Sequence, residues 1–81
     1  MTSSNPIFVR RLGPQNACFK TEACPDIFEL ADGTFAIIGE DITAESKASL
    51  PPGAGCGQGE RIVRIPRKLL VAARPDIPTV L

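Results

Sequence analysis

Cys18, Cys24 and Cys56 are the most reactive side chains in this 81-residue sequence, and they could form a redox pair or, with Asp26 as a fourth ligand, hold a metal. The spacing C-x5-C followed by one distant Cys, with no His anywhere, matches no common zinc-binding pattern. Cys24 precedes Pro25 and Cys56 lies among glycines, so both fall in loops where a thiol can be reached. An odd number of cysteines argues against a closed disulfide framework, and in a reducing compartment all three read as thiols. Cys18, Cys24 and Cys56 therefore stand as redox candidates, with no metal and no cofactor expected.

The loop Gly53-Ala54-Gly55-Cys56-Gly57-Gln58-Gly59 could bring backbone N–H groups close to a phosphate. Its context differs from that of known phosphate loops. A dinucleotide-binding loop runs from a strand into a helix, whereas a strand follows here, and the Gly-Lys-Ser/Thr ending of a nucleotide-triphosphate loop is missing. A flexible connector is the expectation.

The third group is a cluster of cations, Arg61, Arg64, Arg67 and Lys68. Net charge is zero, but it is unevenly placed. Positions 1–21 carry Arg10, Arg11 and Lys20 and no acid. Positions 22–60 carry eight acids against Lys47 alone, and positions 61–81 carry five cations against Asp76. The basic ends are expected to fold onto the acidic middle. Arg64, Arg67 and Lys68 crowd the start of a predicted helix, where the dipole is already positive and each cation costs about 0.3–1 kcal/mol unless an anion answers it. Glu60, or the acids around Glu40 and Asp41, are the expected internal anions. The cluster is also the candidate surface for an acidic partner or a phosphate.

Catalysis has little to stand on: there is no His, no Tyr and no Ser or Cys in a nucleophile context. Glu40 and Asp41 are adjacent, and adjacent residues usually point apart. The chain reads as a non-enzyme.

The elements that would position these groups make an α+β domain, a small antiparallel β-meander with one or two short helices. Ile27–Ala31 and Thr34–Ile38 flank Asp32-Gly33, a pair suited to a two-residue type I′ turn. That turn would set Leu30 opposite Phe35 and Phe28 opposite Ile37, gathering four apolar side chains on one face. Ile7–Leu12 and Arg61–Ile65 read as further strands. Thr43 is placed to cap a helix over Ala44–Leu50, and Pro66 to start another over Arg67–Ala73. The domain is expected over 7–75, between a disordered N-terminus at 1–6 and an extended tail at 76–81. With 43% apolar residues but neither Trp nor Tyr, the core is small, and a homodimer would bury more. No apolar run approaches a membrane span and the first residues lack a secretory pattern, so a cytoplasmic protein is expected.

The runs Cys24–Leu30, Asp32–Gly39 and Arg61–Arg67 together resemble short actinobacterial proteins of unknown function, over most of residues 24–73. Those proteins tend to be encoded near regulatory genes, and the resemblance implies an intracellular, non-catalytic role. Val63-Arg64-Ile65-Pro66-Arg67 with Leu69 and Leu70 also resembles the strand-to-helix step of AbrB-like swapped-hairpin DNA-binding proteins, over about ten residues. In that family further strands follow the helix.

The functional expectation is a small accessory protein that binds another protein in a regulatory or biosynthetic setting. It would use the edge formed by Arg61, Arg64, Arg67 and Lys68 and the exposed edge of the hairpin. A nucleic-acid-binding module using the same cations is the alternative, opposed by the zero net charge and by the scarcity of aromatics. A thiol-based redox or metal sensor is the third reading.

Overall fold

The computed structural model describes residues 5–13 and 24–80. Its centre is an antiparallel sheet of β1 (Phe8–Arg11), β2 (Asp26–Leu30) and β3 (Phe35–Ile38), with β2 in the middle. A second sheet pairs β4 (Glu40–Asp41) with β5 (Val63–Arg64). Between them lie α1 (Thr43–Ser46) and a 3-10 turn (Lys47–Ser49), and after β5 comes α2 (Arg67–Ala73), continued by a 3-10 turn at Arg74–Asp76. The expected α+β class, central hairpin and short helices are all present. Positions 1–4 of the expected disordered terminus lie outside the described residues, while Asn5 and Pro6 are exposed.

The hairpin differs from expectation in its register. Glu29 faces Phe35 and Phe28 faces Ala36, one residue out of step with a two-residue loop. The loop has three residues: Gly33 N–H donates to the Leu30 carbonyl (3.1 Å), and Leu30 N–H donates to the Thr34 carbonyl (2.8 Å). This is a type I turn closed by a left-handed residue, Gly33 at φ 91°. A type I′ turn would need positive φ at Asp32 as well, and no described non-glycine residue has it. Asp32 instead accepts both the N–H (2.9 Å) and the hydroxyl (2.6 Å) of Thr34, which holds the longer loop.

A one-residue slip moves one strand's side chains to the other face. Phe28 and Leu30 therefore share a face with Ala36 and Ile38. Phe35 and Ile37 lie opposite, with Ile27 and Glu29, and the expected four-residue apolar patch is divided between the two sides. The Ile27 face carries the core. Leu12, Ile27 and Ala73 are buried, with Ile65 and Leu69 packed against them.

Helix α2 is held on that face from its far end. Asp76 accepts the Gly13 N–H at 2.7 Å, and Arg10 donates to the Asp76 carbonyl at 2.7 Å. Asp76 therefore closes a 3-10 turn rather than beginning an extended tail. Gly13 has φ 88° there, and a Cβ on it would lie 3.4 Å from the Ala72 carbonyl. Helix α1 also departs from its expected cap. Thr43 is inside the helix, and its N–H is taken by the Asp41 carboxylate at 3.0 Å. The buried Thr43 hydroxyl faces β5 instead, accepting from Ile62 N–H at 2.8 Å and donating to the Ile62 carbonyl at 3.4 Å.

Candidate interaction surface

The four cations divide into two pairs with different surroundings. Arg64 stands opposite Glu40 across β4 and β5, and its Nε donates to Glu40 Oε1 at 3.1 Å. That hydrogen bond, with the charge of the same carboxylate, raises the Arg64 pKa further. Arg61 Nε lies 3.8 Å from Asp41 Oδ2. Hydrogen bonds from Thr43, and secondarily the Arg61 charge, hold the Asp41 carboxyl below its ordinary value. The acidic middle thus answers Arg61 and Arg64 internally, through acids adjacent in sequence that turn to different partners. Arg67 and Lys68, both exposed at the start of α2, form no ion pair among the described residues. The basic edge is half neutralised.

The glycine loop is similarly self-satisfied. Glu60 folds back so that its Oε1 accepts the Gly57 N–H at 2.9 Å, occupying a donor that a phosphate would need. Cys56 is a half-buried free thiol whose Sγ donates to the Glu60 carbonyl at 3.4 Å. Cys24 differs from the all-thiol expectation: it is disulfide-bonded, and its partner lies outside the described residues, as does Cys18. Among the described residues no cluster of His, Cys, Asp or Glu converges to hold a metal. A cleft of about 540 Å³ lies where the two sheets meet, walled by Pro25, Ile38, Ile65 and Pro66 with the Glu40–Arg64 pair at its rim.

The sheet face opposite the core also exposes apolar side chains. Phe8 and Phe28 pack edge to face there, with ring centroids 5.1 Å apart, and Arg11 lies over the Phe28 ring at 5.3 Å. Arg11 Nε is fixed in turn by both oxygens of Asp26, at 3.0 and 2.9 Å. Phe8 and Ile38 are more than half exposed, and the described helix packed on the sheet, α2, covers the other side. Sequence reasoning missed this pair, because a bulge at Val9 sets the register of β1 and no residue type announces it.

No protein-family model, curated protein sequence or solved structure matches this chain. Among the described residues, no helix is long and apolar enough to cross a membrane.

Proposed function

We propose that this is a small, non-catalytic protein of the cell interior that works by binding another protein, in a regulatory or biosynthetic setting. The observation that carries the reading is the sheet face opposite the core, where Phe8 and Ile38 are open to solvent beside a Phe28 ring already fixed by Arg11. Apolar surface of this kind, rimmed by an ordered charge pair, is typical of protein contact sites. Arg67 and Lys68 lie on α2, which packs on the other side of the sheet from this contact.

Internal pairing of Arg61 and Arg64 counts against the nucleic-acid reading, since phosphate contacts need free cations. One observation favours the redox reading, the contrast between the bonded Cys24 and the free thiol of Cys56.

The test is co-purification of the tagged full chain from its native cells, with partners identified by mass, beside the variant Phe8→Glu. A protein captured by the parent and lost in a still-folded Phe8→Glu supports the reading. Capture unchanged by that variant, or submicromolar binding to mixed-sequence duplex DNA that is lost in Arg67→Glu/Lys68→Glu, overturns it.

A further inference from the structure

The two edges of the three-stranded sheet are built differently. The β1 edge is guarded: Pro6 precedes it, a bulge interrupts it between Phe8 and Arg10, and it carries Arg10 and Arg11. These are the usual devices that stop an edge strand from pairing with another chain. The β3 edge has none of them. Its sequence is Phe35-Ala36-Ile37-Ile38, with no charge, no proline and an unbroken register against β2. Phe35, Ile37 and Ile38 are 42%, 47% and 52% exposed.

The backbone of this edge is also open. The Leu30 N–H donates to the Thr34 carbonyl, so by antiparallel alternation Ala36 and Ile38 turn their polar groups toward β2. Phe35 and Ile37 turn theirs outward. Neither makes a backbone hydrogen bond to another element among the described residues.

We propose that β3 pairs antiparallel with β3 of a second copy of this chain, joining the two sheets edge to edge about a twofold axis. The second copy is the occupant because the strand is complementary to itself. A twofold axis brings a strand against its own reverse, which repels if the strand is charged, and β3 is not. Outward-facing residues must form the hydrogen-bonded pairs, so Phe35 faces the partner's Ile37 and the reverse. That register puts Ala36, the smallest residue of the strand, on the axis against the partner's Ala36. Phe35 and Ile37 of both copies then lie on the same side of the joined sheet, the side of Ile27 and the core. Among the described residues only Leu12, Ile27 and Ala73 form the buried core, and dimerisation would extend it, a common remedy in domains of this size. The proposal goes beyond the interaction reading, because the Phe8 face stays open in the dimer.

Sedimentation of the full chain over a concentration series tests it, beside Ile37→Lys and, as a control on the guarded edge, Phe8→Lys. Reversible dimerisation is expected for the parent and for Phe8→Lys, with Ile37→Lys monomeric. Amide exchange supplies a readout that needs no variant. Protection of the Phe35 and Ile37 N–H groups should rise with protein concentration, whereas that of Ala36 and Ile38 should be present throughout. A parent that is monomeric at all concentrations, or concentration-independent exchange at Phe35 and Ile37, overturns the pairing and leaves the reading based on the Phe8 face standing. A dimer that survives Ile37→Lys and dissociates in Phe8→Lys also overturns it.

Discussion

Gly39 passes so close to Arg64 that a Cβ at position 39 would lie 2.7 Å from the Arg64 carbonyl oxygen and 2.9 Å from the Ile65 side chain. The neighbour is backbone, which cannot rotate away. Gly39 is therefore the contact point between the end of β3 and the second sheet. Gly39→Ala is expected to destabilise by about 1–3 kcal/mol, as overpacking does. Gly55→Ala, with nothing within 4 Å, should change stability little. Urea unfolding of the two variants gives the comparison, and equal midpoints would contradict the close approach.

At the hairpin turn the expected cost is conformational. Gly33 has open space around it but φ 91°, so Gly33→Ala should cost about 1 kcal/mol through backbone strain alone. Gly33→Asn should recover part of this, because Asn tolerates the left-handed region better. Thermal or urea denaturation of the three proteins would show that order.

Thr43 gives a third expectation. Thr43→Val keeps the shape but leaves the Ile62 N–H without its 2.8 Å acceptor, a loss of about 1–3 kcal/mol for a buried donor. Thr43→Ser keeps the hydroxyl and should cost clearly less. Faster amide exchange at Ile62 in the Val variant would locate the effect.

The acid limb of stability should carry the signature of two surface carboxyls. Hydrogen bonds from Thr34 hold Asp32 below its ordinary value of 3.8, and those from Thr43 do the same for Asp41. The folded state therefore binds fewer protons than the unfolded state in acid. These contributions are complete above the ordinary carboxyl value and are lost as pH falls through the lowered ones. The urea midpoint should fall as the pH drops below about 4. Asp32→Asn and Asp41→Asn should each make that fall shallower.

Much of this molecule was legible from residue types. Asp32-Gly33 marked the turn, and Pro66 and Ala73 bounded α2. The loop length was not legible, because Asp-Gly suits both a two-residue and a three-residue turn. The choice rests on the Asp32 carboxylate reaching Thr34. Nor was β4 legible: Glu40 and Asp41 are poor strand formers, and their partners across the ladder, Arg64 and Val63, lie more than twenty positions away in sequence. Of the three cations expected to find an internal acid, Arg64 meets Glu40, whereas Arg67 and Lys68 form no ion pair among the described residues. The Phe8–Phe28 face stayed hidden, since its register passes through a bulge that any residue can form.

The bond between Gly13 and Asp76 spans 63 positions, and it sits beside a core shared by Leu12, Ile27 and Ala73. On a ribosome the hairpin emerges long before α2 does. Until Ala73 clears the exit tunnel, Leu12 and Ile27 have no helix to cover them, and the unguarded β3 edge is already exposed. The domain therefore completes its core only once α2 has emerged, so its folding waits on the last of its elements to be synthesised.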